Sequence, residues 1–391
     1  MKVVILGSYP TYPFSKELNV PNTGRKLSTW LIYFAKYLSQ YPGIELHIVT
    51  EDEYLDHDYR FKSDNIYFHF LKCPRKHKAA TFFIGDVLRI KKELAKINPD
   101  IINAHHTDEY ALATVKSNYP YVITVHGILS RFVPKRKLIS RQKIVGIIEK
   151  YVLKKAKNLI ASSPFVHEAI GGITRAKFYN IENCLDEKYF NNIKDYSQNY
   201  KLIYIGYIIK DKGVDQLIKL VSLLKEEFPD VHLTIVGNKS NYELAYYDDL
   251  IVQIQKEDLQ QNISFAGFIS EEEKLNLLLG STVLIHPSRL ETFCMSVAEA
   301  MATGTPVIAS RVGGLPFTVG IKNPHSLYTF GNTEELYTKV RELFNSKILR
   351  ETYGEINKKE ALNRFHPKVI IENLVNCFKD VINESAFKKS V

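Results

Sequence analysis

Short apolar runs alternate with longer segments of helical period along the whole chain. This alternation is typical of parallel β-sheets covered by helices. It predicts an α/β protein with two doubly wound domains, in which ligands bind at the carboxyl ends of the strands. The strands expected in the first series are 3–6, 45–50, 66–71, 101–103, 121–125 and 158–161, and those in the second are 202–205, 232–236, 263–265, 283–286 and 307–309.

The polar stretch 187–200 separates the two series, and we interpret it as a linker. It divides the chain into an N-terminal domain, 1–186, and a C-terminal domain, 201–365. The length of 391 residues exceeds what one hydrophobic core usually organises, which agrees with two domains.

The composition is that of an ordinary soluble protein, with 45% hydrophobic and 24% charged residues. These values exclude a disordered chain and a small disulfide-stabilised scaffold. No apolar run reaches the ~18 residues of a membrane-spanning helix, and the first apolar run is too short for a signal peptide. The four cysteines are scattered and form no C-x-x-C motif, which favours a cytoplasmic protein without a zinc site.

Several functions that use this architecture lack their signatures here. Neither series carries the G-x-G-x-x-G motif of nicotinamide enzymes, and there is no phosphate-binding lysine loop of the Walker type. No motif for reading nucleic acid accompanies the basic residues, so we expect no nucleic-acid partner. Function must therefore be inferred from a particular site rather than from the fold class.

The most informative segment runs from 286 to 316 and predicts a strand, a loop, a helix, a second strand and a second loop. The helix is expected to begin near 294–296 and to end at Gly304. Glu291 then lies in the loop before the helix, and Glu299 about one turn inside it. The N–H groups of the first turn have no acceptor within the helix and would bind an anion between the two carboxylates.

This arrangement suits a nucleotide-sugar, with a phosphate at the helix terminus and hydroxyl groups on the two acids. The alternative is that Glu291 is a surface loop residue and Glu299 an acid on a helix face. The apolar neighbours of Glu299 argue against that alternative, because a closely packed carboxylate needs hydrogen-bond partners. We therefore favour a donor site.

The same segment resembles the signature of the family 4 retaining glycosyltransferases, which have the GT-B fold. The match comprises the E-x7-E spacing of Glu291 and Glu299, the run from Glu299 to Ser310, and the Gly-Gly-Leu-Pro of 313–316. Further segments are similar to family motifs in the same order along most of the chain. They are His126-Gly127, 181–186, Gly206 with Lys212-Gly213, 265–267 and Arg364-Phe365.

The resemblance implies two Rossmann-like domains that face a central cleft, and a terminal helix, 366–391, that packs back on the N-terminal domain. It also implies a retaining, metal-independent transfer of a sugar, expected to be a hexose, from a nucleoside-diphosphate sugar. The acceptor would be a hydroxyl of a glycan or a lipid-linked acceptor, bound by the N-terminal domain, while the C-terminal domain binds the donor. No cofactor and no metal site are expected.

By the same resemblance, Lys212 would bind the diphosphate, Glu291 the hydroxyls of the sugar, and His126 would help to position that sugar. Gly24 and His105 are further candidates for an acceptor or phosphate loop. The alternative for these positions is structural: a lysine at a helix start, a glycine in a turn and histidines satisfied within turns. The other donor-binding residues are Gly206, Tyr207, Gly267, Phe293, Cys294, Met295, Ser296 and Glu299.

Three positions depart from the family pattern. Tyr207 stands where arginine is usual, which removes one of two cations expected at the diphosphate. Cys294 replaces a glycine, and Phe317 stands where glutamate is common. Tyr207 suggests one alternative, a nucleotide-sugar-binding partner subunit with little activity. A further alternative is another GT-B enzyme such as a nucleotide-sugar epimerase, which the transferase signature disfavours.

The formal net charge is +9, and the segment 131–157 alone carries a surplus of the same size. Its basic residues alternate with apolar ones, so much of it is expected to be an amphipathic helix. One interpretation is a helix on the N-terminal sheet with an ordinary solvated face. The other is a patch for anionic lipid headgroups, which would make the protein peripheral at the inner membrane face. Because the segment lies in the presumed acceptor domain, it favours a membrane over nucleic acid.

Overall fold

The computed structural model describes residues 1–18, 20, 29–74, 81–128, 140–197, 200–240, 243–321 and 323–390. The chain divides into two compact units. Unit 1 is Met1–Cys184 together with Pro367–Val391, and unit 2 is Leu185–His366.

Unit 1 is built on a mostly parallel sheet. Its strands are β1 (Lys2–Leu6), β2 (Glu45–Asp52), β3 (Tyr59–Ser63), β4 (Ile66–Lys72), β5 (Ile101–His105), β6 (Tyr121–Val125), β7 (Asn158–Ala161) and β8 (Lys177–Asn180). The strand order is β3-β4-β2-β1-β5-β6-β7-β8, with one antiparallel pair, β3 and β4, at an edge. Strands β1, β5, β6 and β7 are apolar runs buried on both faces, as expected for a sheet covered by helices.

Helices connect the parallel strands of unit 1 and pack on the sheet through apolar stripes. They are α1 (Thr29–Leu38), α2 (Ile84–Ile97), α3 (Glu109–Val115), α4 (Ser140–Lys155) and α5 (Pro164–Gly171). In α2 the buried residues Val87, Ile90, Leu94 and Ile97 recur at helical spacing and join the core beneath the sheet.

Unit 2 repeats this architecture with a fully parallel sheet. Its strands are β9 (Lys201–Ile205), β10 (His232–Val236), β11 (Ile263–Gly267), β12 (Val283–His286), β13 (Val307–Ser310) and β14 (Leu327–Tyr328). The order β11-β10-β9-β12-β13-β14 makes β9 and β12 neighbours although they are distant in sequence. The switch in strand order at β9 is where a doubly wound sheet binds its ligand.

The helices of unit 2 follow the strands in turn. They are α6 (Val214–Glu227), α7 (Leu244–Lys256), α8 (Glu271–Gly280), α9 (Met295–Ala302), α10 (Leu315–Val319), α11 (Thr333–Asn345) and α12 (Lys347–Phe365). The last helix, α13 (Pro367–Ser390), returns to unit 1, where it packs against α1 and β6. Its Asp380 pairs with Lys177 and accepts a hydrogen bond from Tyr179, both in β8.

The predicted class, two Rossmann-like domains with parallel sheets, is confirmed. Three strands were not predicted: β3, β8 and β14. All three lie at sheet edges, and β3 and β8 are exposed along much of their length. A largely exposed edge strand needs no continuous apolar run, so the hydrophobic pattern does not reveal β3 and β8. Strand β14 is buried but has only two residues, too few to form a recognisable run.

The stretch 187–200, which the sequence suggested as a linker, belongs to unit 2 instead in its described residues, 187–197 and 200. Tyr189 is fully buried, and its hydroxyl donates a hydrogen bond of 2.8 Å to Glu271. Lys194 is also buried, and its ammonium donates to carbonyl oxygens at the end of α8, including Leu278 at 3.0 Å. Two of its polar side chains therefore serve buried hydrogen bonds, although others, such as Asn191 and Asp195, stay exposed to solvent.

Candidate active site

The carboxyl edge of the unit 2 sheet brings two loops together. Because β9 and β12 are neighbouring parallel strands, the loops that follow Ile205 and His286 leave the sheet side by side. A short turn after β9, Lys210–Lys212, places the ammonium of Lys212 where it donates a hydrogen bond to Oε1 of Glu291. These two side chains are shielded from solvent, with 22% and 12% of their surfaces exposed. Two residues that the sequence nominated thus form one ion pair.

Glu291 is an ionised carboxylate held between cations. Its Oε1 also accepts hydrogen bonds from Nε2 of His286 at 2.8 Å and from Oγ of Ser288 at 3.0 Å. Burial by itself favours the neutral acid, but Lys212 and His286 outweigh it and lower the pKa of Glu291 to about 2. Burial likewise opposes protonation of His286, yet Cys294 and Glu291 raise the pKa of its imidazole to about 9. Two cations beside one carboxylate leave a site that suits an anionic ligand.

The start of helix α9 supplies a second feature that binds anions. In the described part of the chain no side chain caps this helix, which begins at Met295. The N–H groups of its first turn have no acceptor within the helix and add to the positive end of the helix dipole. The preceding residue, Cys294, places its Sγ 3.3 Å from Nε2 of His286, the nitrogen that also donates to Glu291. The uncapped helix start therefore adjoins the ion pair.

Packing fixes the backbone around this helix start. Phe293 is buried, and its ring meets that of Phe365 edge-on with the centroids 5.3 Å apart. Ser296 donates a hydrogen bond of 3.0 Å to the carbonyl oxygen of Ile205, which ties α9 to the end of β9. Cys294 has a φ of +80°, in the region that favours glycine, and glycine is the residue expected there from the sequence resemblance.

Gly213 sets the close approach of the two loops. Its φ is +68°, and a Cβ placed on it would lie 2.1 Å from the carbonyl oxygen of Pro287. We expect Gly213→Ala to lower the free energy of unfolding by about 2 kcal/mol or more, measured by denaturant unfolding. The matched control is Gly280→Ala at the end of α8, where a Cβ would meet no described atom within 4 Å. That control should leave stability unchanged or raise it by up to about 1 kcal/mol, and equal losses in the two variants would contradict the argument.

The other donor-binding predictions fall on the same sheet edge. Gly206 follows β9, and its N–H donates to the carbonyl oxygen of Val236 at 2.9 Å. Gly267 ends β11, and its carbonyl oxygen accepts a hydrogen bond of 2.8 Å from Gly237. Tyr207, in the position of the expected arginine, leaves 50% of its surface exposed. The structure therefore gathers these residues around three adjacent strand ends.

Glu299 is more deeply enclosed than Glu291, with 2% of its surface exposed. Its Oε1 accepts a hydrogen bond of 2.9 Å from Nζ of Lys274, on helix α8. Lys274 also pairs with Glu271 at 3.1 Å, and Glu271 in turn accepts a bond from Tyr189. Burial raises the pKa of Glu299, and the ammonium of Lys274 opposes that rise. Glu299 is therefore part of a buried polar chain rather than an acid on an exposed helix face.

The candidates in unit 1 form a separate aromatic cluster at the carboxyl edge of its own sheet. His105 ends β5 and His126 follows β6, and their ring nitrogens Nδ1 and Nε2 lie 3.0 Å apart. Trp30 of α1 stacks on His126, with ring centroids 3.7 Å apart. Burial lowers the pKa of all three neighbouring imidazoles: to about 3 for His105, to about 4 for His106, and well below the usual value for His126. Gly24 lies outside the described residues.

Two family models match the chain in succession. The model for glycosyltransferase family 4 matches residues 27–189, and the model for glycosyl transferases group 1 matches residues 186–360. The chain belongs to the family 4 glycosyltransferases.

One relative of this glycosyltransferase matches nearly its whole length, and another matches about half of it. It is 27% identical over 370 residues to an uncharacterised glycosyltransferase of Methanocaldococcus jannaschii, which is 93% of this chain and 94% of that protein. It is also 27% identical over 217 residues to the capsular polysaccharide biosynthesis glycosyltransferase CapM of Staphylococcus aureus, which is 56% of this chain and 55% of CapM.

Solved structures of low sequence identity share the fold of the glycosyltransferase. Sucrose-phosphate synthase from Thermosynechococcus elongatus has a TM-score of 0.79 at 17% identity and covers 98% of this chain and 100% of its own. HepE of Anabaena in complex with UDP-glucose has a TM-score of 0.73 at 18% identity, with 97% and 100% covered. The expected GT-B fold is thereby confirmed.

Two residues that bond to the acids of this glycosyltransferase site, His286 and Lys274, were not predicted from the sequence. His286 is a polar residue at the end of an apolar strand, a position from which side chains reach a site at the sheet edge. Lys274 lies four residues before the buried Leu278, so it occupies the inward stripe of helix α8. A lysine in such a stripe indicates a buried partner, but the sequence does not say which acid it is.

The neutral histidine cluster predicts acid sensitivity in the glycosyltransferase. Burial and the neighbouring His106 lower the pKa of His105 from 6.5 to about 3, so the unfolded chain binds a proton that the folded chain does not. Stability should therefore fall as pH drops below 6.5, by up to about 1.4 kcal/mol per pH unit for this one group. Urea unfolding between about pH 7.5 and 5.5 measures the slope, which His105→Leu should reduce. His57→Gln, a change at an exposed histidine of the same unit, should leave it unchanged, and an unaltered slope in His105→Leu would contradict the prediction.

Proposed function

We propose that this glycosyltransferase moves a sugar, with retention of anomeric configuration, from a nucleoside-diphosphate sugar to a hydroxyl of a glycan or lipid-linked acceptor. We further propose that transfer needs no metal ion. The observation that carries the proposal is the Lys212–Glu291 ion pair beside the uncapped start of α9. A cation, a carboxylate and free amide groups lie together there, as a sugar diphosphate requires.

The positive groups of the site support a nucleoside-diphosphate sugar as the donor. Negative charge builds on the leaving diphosphate as the bond to the sugar breaks, and groups already aimed at that charge lower the barrier. Lys212 and the first-turn amides of α9 supply such groups, a role that a divalent cation can fill in other enzymes. HepE of Anabaena, which shares this fold, is bound to UDP-glucose in its solved structure.

Four further residues would help to hold the donor. Glu291 would accept hydrogen bonds from the hydroxyls of the sugar, and Glu299 from those of the ribose. Gly267, with a φ of +65° and no described atom within 4 Å of its Cβ position, would leave room for the base. His126, which is neutral because burial lowers the pKa of its imidazole, would bind a hydroxyl of the transferred sugar without adding charge.

The proposed reaction needs no dedicated base. The bond between the anomeric carbon and the phosphate oxygen breaks, and a bond from the acceptor oxygen forms on the same face of the sugar. The proton of the acceptor hydroxyl passes to the departing phosphate oxygen, which lies on that face and gains negative charge. Atoms and charge balance, and the products are a glycoside and a nucleoside diphosphate.

Transfer assays test this proposal. The protein is incubated with UDP-, GDP- and ADP-sugars and a panel of alkyl glycosides and polyprenyl-diphosphate-linked sugars, and nucleotide release is followed. We expect one donor to be consumed, an anomeric configuration in the product equal to that of the donor, and no loss of rate in EDTA. Loss of transfer in EDTA would overturn metal independence, and an inverted product would overturn retention.

Tyr207 supports a second candidate, a donor-binding subunit with little activity of its own. It is uncharged and half exposed where the family pattern has arginine, so the diphosphate would face one cation fewer. Donor binding in thermal-shift assays without turnover, in both the wild type and Tyr207→Arg, would favour this candidate. Turnover that rises in Tyr207→Arg would instead show an active enzyme with a weakened phosphate site.

Helix α4 supports the proposal that the acceptor is reached at an anionic membrane surface. Among the described residues no helix is long and apolar enough to span a membrane. Residues 131–139 of the predicted basic segment lie outside the described residues, but α4 covers the following part. One face of α4 is exposed and combines basic with apolar side chains: Lys143, Ile147, Lys150, Tyr151 and Lys154. Such a face suits anionic headgroups, which contribute about 1 kcal/mol for each lysine near the surface.

Co-sedimentation with phosphatidylglycerol vesicles tests the membrane proposal. Reversing two charges on α4, with Lys150→Glu and Lys154→Glu, should reduce binding by about tenfold or more at low salt. The matched control reverses two exposed lysines of unit 2, Lys219 and Lys359, which lie outside the proposed face of α4. Binding that resists salt, or that falls equally in both double variants, would contradict a specific role for α4.

A further inference from the structure

We propose that His286, Glu291 and Cys294 form a binding site for a soft divalent cation such as Zn²⁺, and that this cation and the nucleotide-sugar donor exclude one another. The site is inhibitory, so it does not conflict with metal-free transfer. Its metal-binding part stands on the three side chains alone, whereas the exclusion of the donor rests on the proposed function.

The three ligand atoms already converge. Nε2 of His286, Oε1 of Glu291 and Sγ of Cys294 all lie within 4.8 Å of one another. The nitrogen is 2.8 Å from the carboxylate oxygen and 3.3 Å from the sulfur. Atoms that share one tetrahedral zinc ion, at roughly 2.0–2.3 Å from it, are separated by about 3.3–3.8 Å. Small side-chain movements are therefore enough to admit an ion.

The chemistry of the ligands selects the metal. Imidazole, thiolate and carboxylate are the three protein ligands of zinc, and a thiolate favours soft cations over Mg²⁺ or Ca²⁺. The site offers three ligands from the described residues, which leaves a fourth position for water or an added ligand. Binding would release the thiol proton of Cys294 and the Nε2 proton of His286 to the buffer.

The fold holds the three ligands on fixed backbone. His286 is the last residue of β12 and is buried, so its ring has little freedom. The carbonyl oxygen of Glu291 accepts a hydrogen bond of 2.7 Å from Gly314, which anchors that loop to the start of α10. Cys294 stands directly before α9. A strand end, a loop and a helix start thus present their ligands without a conformational change of the backbone.

Lys212 competes with the cation. Its ammonium donates to the same Oε1 of Glu291 that would bind the metal, so the metal must displace it. In addition, Nδ1 of His286 is buried without a hydrogen-bond partner among the described residues. Zinc sites with a supported histidine bind more tightly. Both features predict reversible binding that is weaker than in a structural zinc site.

Competition for Glu291 connects the cation with the donor. In the proposed function, Lys212 holds the diphosphate and Glu291 the sugar hydroxyls. A cation on Glu291 would withdraw that carboxylate and push the ammonium of Lys212 aside. The donor and the cation would therefore each lower the apparent affinity of the other by the same factor.

The binding experiment uses the full-length, reduced protein and Cd²⁺, whose bond to a thiolate gives an ultraviolet charge-transfer band, with Zn²⁺ measured by displacement. The other three cysteines, Cys73, Cys184 and Cys377, are buried, so the band reports on Cys294. Cys294→Gly suits the local backbone and should fold, yet lose the band and bind Zn²⁺ at least about 100-fold more weakly. The matched control, His325→Gln, changes an exposed histidine of unit 2 and should bind as the wild type does.

Two further arms separate this proposal from the proposed function. Lys212→Met should bind Zn²⁺ roughly tenfold more tightly, because the competing ammonium is gone. The donor that the wild type uses should weaken Cd²⁺ binding in wild-type protein. A band that persists in Cys294→Gly would overturn the metal site, and equal affinities in wild type and Lys212→Met would overturn the competition between the ammonium and the cation. Normal metal binding that no nucleotide-sugar affects would overturn the exclusion and count against the proposed donor site, while the metal site itself would stand.

Discussion

Lys212→Met should reduce kcat/KM for sugar transfer by roughly 10²–10³-fold, because it removes a charge aimed at the leaving diphosphate. The side chain is held in place before any donor binds, since its ammonium already donates to Glu291. Methionine keeps the length and packing of the lysine but carries no charge. The measurement is steady-state transfer with the donor that the wild type consumes.

The control for this experiment lies two residues away on the same turn. Lys210 is exposed, so Lys210→Met removes the same charge from the surface without touching the ion pair. It should keep kcat/KM within about threefold of the wild type. Because Glu291 retains hydrogen bonds from His286 and Ser288, Lys212→Met should remain folded, which a thermal melt checks. A Lys212→Met enzyme within tenfold of wild-type kcat/KM would contradict the proposed role.

The second large effect concerns stability. Lys274→Met should lower the free energy of unfolding by about 3–5 kcal/mol, because it leaves a buried carboxylate without its cation. Glu299 has 2% of its surface exposed, and Lys274 donates to it at 2.9 Å. Since burial already raises the pKa of Glu299, loss of the ammonium should raise that pKa further and favour the neutral acid at neutral pH. Denaturant unfolding near pH 7 measures the loss.

A second substitution shows whether the lost charge pair is the cause. In the double variant Lys274→Met/Glu299→Gln the buried charge is gone, and most of the lost stability should return. Lys256→Met, at an exposed lysine in the last turn of α7, is the control and should change stability by less than about 0.5 kcal/mol. A loss below about 1 kcal/mol in Lys274→Met, or no recovery in the double variant, would contradict the argument.

Much of the fold could be predicted from the sequence, because the information is local. The central strands are continuous apolar runs buried on both faces, and the helices between them repeat apolar residues at helical spacing. The edge strands β3, β8 and β14 have no such run and were missed. The stretch 187–200 was misjudged because Tyr189 and Lys194 form buried hydrogen bonds, which composition alone does not distinguish from contact with solvent.

The candidate site could be predicted only in part. Glu291, Lys212 and the start of α9 were found through a spacing that resembles a known family, and the structure brings them together. His286 was not nominated, although it bonds directly to Glu291. The expectation of no metal site rested on the absence of C-x-x-C and on the resemblance to a metal-independent family. The proposed ligands, His286, Glu291 and Cys294, lie instead at a strand end, in a loop and before a helix, so they do not show the spacing of a known zinc motif.

By itself the sequence determined that this protein has two parallel-sheet α/β domains and a glycosyltransferase signature in the second. Those properties depend on apolar periodicity and on residues that are neighbours along the chain. Only the tertiary structure decided which side chains neutralise the two acids of the site: Lys212 and His286 for Glu291, and Lys274 for Glu299. Lys212 precedes Glu291 by 79 residues, and Lys274 precedes Glu299 by 25. Strand order and helix packing bring these charges together, and burial is what makes their pairing necessary.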